Sequence, residues 1–349
     1  MKNIDFVIGL QLGDESKAKV SYKLTEKYRY KNVIKFNGGP NAGHTFYVNE
    51  KKYVAHQLTA GAFFPFSNVI IGPGCVVNEE KLFEEIKLFE EFDVKDRVFV
   101  CDKAHLITKG HIEDDSNEGN SSKIGTTKQG IGPCYRDKYN RTGIEVRESF
   151  QYNWEMLFGL EELYPETRYV FEGDILFEGS QGMRLDIILG NYPYVTSSHI
   201  HPAFALASLG IPFNSKDILY RVFGVAKMYE TYSGSGENIV YAEENDAEII
   251  QKVGQELGAT TGRKRHVGYM NLSKLIHSIN STGTNVLILN KGDVLQDCNI
   301  FKIIEDDRIR KFTNYFDMSS YIEETIKKCS IQEIEIFFSE TKDGCDLNF

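Results

Sequence analysis

The chain has 349 residues with 41% hydrophobic content, enough to bury a sizeable core, and a formal net charge of −10. That charge repels phosphates, so broad binding to nucleic acid or to an anionic membrane is excluded and any phosphate site must be locally basic. The six cysteines form no C-x-x-C pair, and the N-terminal apolar stretch, interrupted by Asp5, is too short for a signal peptide or a membrane span; a reducing, cytoplasmic setting is expected.

Short apolar runs at residues 4–10, 32–36, 68–71, 97–101, 175–177, 220–225 and 285–289 read as buried parallel strands. Helical patterns lie between them, clearest over 79–92, where Leu82, Phe83, Ile86 and Phe89 share one face. This alternation predicts the α/β class: a single large domain over 1–349, with a mostly parallel central sheet, helices on both faces and loop or helical elaborations. Residues 108–123, which contain His111 and several acidic and small residues, read as an exposed mobile loop suited to a lid. A helix over 321–328, capped by Ser319 or Ser320, and a strand over 333–338 are expected near the end.

Ligands of such sheets sit at the carboxyl ends of the strands, so the loops after these runs matter most. The first holds Gly13, Asp14, Glu15, Ser16, Lys17, Ala18 and Lys19 ahead of a helix; small residues, a helix N-terminus and two lysines suit phosphate. It lacks the Walker spacing and reads equally as a helix cap with solvated lysines. The second, with Asn41, Gly43, His44 and Thr45, presents a histidine among residues too small to bury it, either a proton donor to a reacting phosphate or a solvated turn residue. The third, Asn290, Lys291, Gly292 and Asp293, has the N-K-x-D spacing in which a carboxylate reads N1–H and the 2-amino group of guanine; a plain polar loop is the alternative. The fourth, from Gly258 through Ala259, Thr260, Thr261, Gly262 and Arg263 to Arg265, places two arginines beside two threonines, an anion clamp in an acidic chain.

In this order the segments resemble adenylosuccinate synthetase, from Phe6 to about Leu295. The motifs are GDESKAK, GGPNAGHT, GTTKQGIGP, FEGSQG, YPYVTSS, GATTGRKR and NKGDVL. The resemblance implies a ligase that joins L-aspartate to IMP at the expense of GTP, through 6-phosphoryl-IMP, with Mg²⁺. Asp14 would be the base and a metal ligand, His44 the acid, and the Gly43 carbonyl a second metal ligand. The triphosphate would meet Gly13, Asp14, Glu15, Ser16, Lys17, Ala18, Lys19, Gly43, His44, Thr45, Arg265, Lys291, Gly292 and Asp293. IMP would meet Asp14, Lys17, Asn41, Thr127, Gln181, Thr196 and Arg263. Arg141 would reach IMP across a homodimer interface, and aspartate would lie against Ala259, Thr260, Thr261, Gly262, Arg263 and Arg265. No nucleic acid or membrane partner is implied.

The chain also departs from the family pattern. Ser16 and Ala18 stand where the family has glycines; both resist positive φ, which predicts a reshaped loop. The segment after Lys227 is replaced, as is the C-terminal element that encloses guanine, so ATP stays open as the donor. A viral branch of the family acts on dGMP and lacks the aspartate base; Asp14 favours IMP and leaves dGMP as the enzymatic alternative. An inactive nucleotide-binding homologue is the reading from another class.

Overall fold

The computed structural model describes residues 2–117, 124–148, 158–159, 173–213, 216–236, 239–258 and 262–339. In chain order these form β1 (Lys2–Gly9), α1 (Lys17–Tyr28), β2 (Asn32–Lys35), β3 (His44–Val48), β4 (Lys51–Ala55), β5 (Asn68–Ile71), α2 (Glu79–Leu88), β6 (Val98–Val100), α3 (Lys109–Asn117) and α4 (Ile131–Asn140). There follow β7 (Phe158–Gly159), β8 (Ile175–Gly182), α5 (Pro202–Ser208), β9 (Ile218–Lys227), β10 (Tyr229–Tyr232), α6 (Glu244–Val253), β11 (His266–Asn271) and α7 (Leu272–Thr282). The last are β12 (Val286–Asn290), α8 (Gly292–Cys298), β13 (Lys302–Glu305), β14 (Arg308–Lys311), α9 (Tyr315–Cys329) and β15 (Glu335–Ser339).

One nine-stranded sheet runs β15-β12-β9-β1-β8-β2-β5-β6-β7. Every pairing in it is parallel, and β1 lies centrally with Ile4 opposite both Ile175 and Tyr220. The seven apolar runs all fall on its strands. The period-two alternation of side chains explains why helices cover both faces. Phe6, Ile8 and Phe177 enter a core with Leu287, Met318 and Ile322. Val7, Val33, Leu176 and Ile288 face the opposite way, onto Val20 and Leu24 of α1. Each large side chain removed from water here contributes about 1.5–3 kcal/mol. A second sheet, β10-β11-β13-β14, and the β3–β4 hairpin were not expected from the pattern.

Three local expectations are corrected. The helix from 79 ends at Leu88, followed by a 3₁₀ turn over Glu90–Phe92. Residues 109–117, expected as an exposed loop, form α3; His111 and Asp115 are buried, His111 Nδ1 accepting from Thr108 N at 3.0 Å and Asp115 from Gly130 N at 2.9 Å. These bonds return α3 to the chain instead of leaving it free, while residues 118–123 lie outside the described residues. The last helix starts earlier than expected, at Tyr315. Its cap is Asn314, which accepts from Asp317 N at 2.9 Å, not Ser319 or Ser320.

Candidate active site

The carboxyl ends of β1, β8, β9, β12 and β15 open into one cleft of about 1240 Å³. That exceeds the usual range for a single small ligand, so more than one can be held. Nine lysines and arginines line it against five carboxylates, which makes it the locally basic site that an acidic chain needs for anionic ligands.

The loop after β1 is shaped by Glu15. Its fully buried carboxylate accepts from Gly13 N at 2.8 Å, Gln11 N at 3.2 Å and Lys17 Nζ at 2.7 Å. Gly9 and Gly182 leave space for it: a Cβ on either would stand 2.4 Å from a Glu15 oxygen. Glu15 was expected to touch a triphosphate. It does not line the cleft, because its oxygens are turned onto the loop's own donors. Ser16 adopts the positive φ that it was expected to resist. Gly13, Asp14 and Ser16 are left-handed at φ 91, 61 and 72°, and Ala18 lies within α1, where no positive φ is required. A left-handed non-glycine residue costs roughly 1–2 kcal/mol, which the Glu15 bonds offset. Ser16 caps α1 without a side-chain hydrogen bond, so the helix N-terminus is open to an anion.

His44 also differs from expectation. Instead of standing in a loop of small residues, it begins β3, is buried, and bonds through Nδ1 to Glu178 Oε1. Glu178 Oε2 accepts from Ala60 N at 3.0 Å, fixing the carboxylate. Burial lowers the His44 pKa, and the Glu178 charge opposes that shift. With the Nδ1 proton held by Glu178, Nε2 remains for the cleft, an acceptor when neutral and a donor when charged. The loop before His44 is tied by His56, whose Nδ1 meets the Ala42 carbonyl at 2.7 Å. The His56 carbonyl in turn accepts from the buried Lys35 ammonium.

Asp14 Oδ2 lies 2.8 Å from Arg265 Nε and accepts from Ser233 Oγ at 3.0 Å. Arg265 Nη1 donates to Glu256 Oε2 at 2.5 Å. Glu256 also accepts from Lys227 Nζ at 2.9 and 3.0 Å and from the Tyr229 hydroxyl at 2.6 Å. Burial alone would raise the Glu256 pKa, but the Lys227 and Arg265 charges bring it down to about 2. Burial lowers the pKa of Lys227.

Asn41, Gly43, Thr45, Thr127, Thr196, Gly262, Arg263, Lys291 and Asp293 all border the same cleft. So does Gln181, left-handed at φ 59°, whose buried Oε1 has no hydrogen-bond partner among the described residues. A buried orphan acceptor beside a basic cleft suits a ligand donor. Gly292 is buried beside Tyr315 and does not line the cleft. Arg141 caps α4 at φ 63°, exposed and outside the cleft of its own chain. Ala259, Thr260 and Thr261 lie outside the described residues.

Sequence reasoning missed Glu178, Glu256, Lys227 and Ser339. Glu178 carried a signal, a carboxylate inside an apolar strand. Ser339, which ends β15 and accepts from Lys19 Nζ at 3.2 Å, carried none.

Among the described residues, no group of three or more His, Cys, Asp or Glu side chains could hold a metal by itself. Asp14 and Gly43 both border this large basic cleft and carry hard oxygens, a carboxylate and a backbone carbonyl. That set fits Mg²⁺, which commonly takes one or two carboxylates and completes its shell with substrate phosphates and water. No helix among the described residues is long and apolar enough to cross a membrane.

A family model described as "Adenylosuccinate synthetase" matches residues 6–173 and 164–333. The adenylosuccinate synthetase of Thermodesulfovibrio yellowstonii is 34% identical over 342 residues, covering 85% of this chain and 79% of its own. Fully ligated adenylosuccinate synthetase from Plasmodium falciparum superposes with a TM-score of 0.82 at 26% identity, over 97% of this chain and 98% of that one. A succinoaminodeoxyadenylate synthetase of cyanophage S-2L, bound to dGMP and dATP, shares the fold at a TM-score of 0.71 and 19% identity, over 93% and 99% of the two chains.

Proposed function

The chain belongs to the adenylosuccinate synthetase family, and from that premise we propose that it converts IMP, L-aspartate and GTP to adenylosuccinate, GDP and phosphate. Membership places it among ligases that form a C–N bond. The observation that carries the reading is the meeting of Asp14 and Arg265 at 2.8 Å in the cleft that His44 also lines. Base, acid and anion clamp thus converge from three distant segments.

In this reading Asp14 takes the N1 proton of the purine while O6 attacks the γ-phosphorus. The β–γ bond breaks, GDP leaves with help from protonated His44, and 6-phosphoryl-IMP forms. The aspartate amino group then attacks C6, its proton is lost and phosphate departs, a far better leaving group than oxide. Mg²⁺, held by Asp14 and the Gly43 carbonyl, would neutralise phosphate charge.

The 13–19 loop, Gly43, His44, Thr45, Arg265, Lys291 and Asp293 are assigned to the triphosphate, with Glu15 and Gly292 acting from behind. Asp14, Lys17, Asn41, Thr127, Gln181, Thr196 and Arg263 are assigned to IMP, and the 259–265 segment to aspartate. Arg141, exposed and outside its own cleft, is assigned to the IMP site of a second copy in a homodimer.

The test incubates the protein with Mg²⁺ and aspartate across IMP, dGMP and GMP against GTP and ATP, with products identified by mass spectrometry. Adenylosuccinate from IMP with GTP is expected. A succinylated product from dGMP alone, or product only with ATP, would replace the assigned substrate. Nucleotide binding without any product would make the protein an inactive homologue.

A further inference from the structure

Behind Arg265 lies a charge cluster to which the reaction assigns no step. Glu256 and Lys227 are both buried, and together they gather contacts from three separate parts of the chain. Lys227 ends β9, and its backbone N–H donates to Gln11 Oε1 at 2.9 Å; Gln11 Nε2 donates back to the Lys227 carbonyl at 3.0 Å. Gln11 precedes the loop that bears Asp14. The Lys227 ammonium also reaches Thr231 Oγ1 at 3.0 Å, in β10. Glu256, just ahead of the 258–265 segment, accepts from Lys227, Tyr229 and Arg265.

We infer that Glu256 is a positioning residue for the ligase reaction: its carboxylate fixes the plane of the Arg265 guanidinium beside Asp14, and Lys227 holds that carboxylate in place. The inference rests on the assignment of Arg265 to aspartate and triphosphate given above. Nη1 donates to Glu256, while Nε lies 2.8 Å from Asp14 Oδ2 as an ion pair without hydrogen-bond geometry, so Glu256 supplies the directional contact to the planar group. Only one of these anchors is available throughout turnover. In the proposed reaction Asp14 serves the purine and Mg²⁺, whereas Glu256, although it borders the cleft, is buried and held by Lys227, Tyr229 and Arg265. When Asp14 leaves Arg265, Glu256 is what keeps the clamp aimed.

A bland alternative is that Glu256 serves only as the counter-ion of Lys227, and variants separate the two. Glu256→Gln strands the Lys227 ammonium and loses stability on either account. The double variant Lys227→Met with Glu256→Gln removes both charges, which a buried site tolerates far better than one unpaired charge. Three measurements are made on the full chain: urea unfolding, kcat and KM for L-aspartate with IMP and GTP, and calorimetry of L-aspartate with IMP and a non-hydrolysable GTP analogue.

The double variant is expected to regain most of the unfolding midpoint while its KM for aspartate stays raised by about 10–100-fold, since misplacing a positioned group by an ångström costs on that order. Calorimetry should show the same weakening, and Glu256→Asp should fall between. A double variant with the KM and aspartate affinity of the unmodified protein would overturn the inference and leave Glu256 a counter-ion. An unmodified protein that neither turns over nor binds aspartate would instead overturn the ligase reading, and the inference with it.

Discussion

Replacing Glu15 by glutamine separates a loop organiser from a ligand contact. The carboxylate is fully buried and receives two backbone N–H groups, at 2.8 and 3.2 Å, and the ammonium of Lys17 at 2.7 Å. Glutamine keeps the size, removes the charge and sets an amide NH₂ against donors. The Lys17 side chain is 6% exposed, so its ammonium is left without its partner. Breaking a buried pair on one side costs about 3–5 kcal/mol, and a domain commonly holds about 5–15 kcal/mol in total. At least about a fifth of the stability is therefore at stake. Part of the loss falls locally on the left-handed turns at Asp14 and Ser16, so triphosphate affinity drops as well, about tenfold for each 1.4 kcal/mol of lost preorganisation. Urea unfolding of nucleotide-free protein and calorimetric titration with GTP read the two effects separately. An E15Q protein with an unchanged unfolding midpoint and weakened GTP binding would refute the organiser role and restore Glu15 as a direct contact.

Asp14→Asn should abolish turnover while sparing nucleotide binding, as checked by product formation and by calorimetry with IMP; unchanged turnover would remove Asp14 from the role of base. Glu178→Gln should reduce kcat and move the alkaline limb of its pH profile downward. Burial already lowers the His44 pKa and Glu178 is the largest influence raising it, so its removal leaves His44 neutral at lower pH. A limb that stays in place would show that His44 is not the acid whose protonation limits the rate.

Much of the sheet was legible in the sequence. Its buried parallel strands, at residues 4–10, 32–36, 68–71 and 175–177 among others, read as apolar runs because both faces are covered and no polar alternation is tolerated. The motif loops were legible as well. Gly13, Asp14, Gly43, His44 and Arg263 sit in segments of unusual composition at strand ends, and all five border the cleft. The start of the last helix at Tyr315 was missed although Asn314 is a favourable cap residue, because Ser319 and Ser320 offer the same cap chemistry closer to the apolar stripe of Ile322 and Ile326.

What the chain order could not reveal is which polar side chains face ligand and which face protein. Glu15, Asp14 and Glu178 are alike as carboxylates in motif loops or strands. Yet Glu15 turns inward onto three donors, Asp14 stands partly exposed against Arg265, and Glu178 lies behind His44. Glu15 finds its donors within its own loop, while the other two depend on partners brought from elsewhere: Arg265 and Ser233 for Asp14, His44 and Ala60 for Glu178. A charge in a low-dielectric interior takes the state its neighbours allow, and those neighbours are fixed only when the nine strands take their places in the sheet.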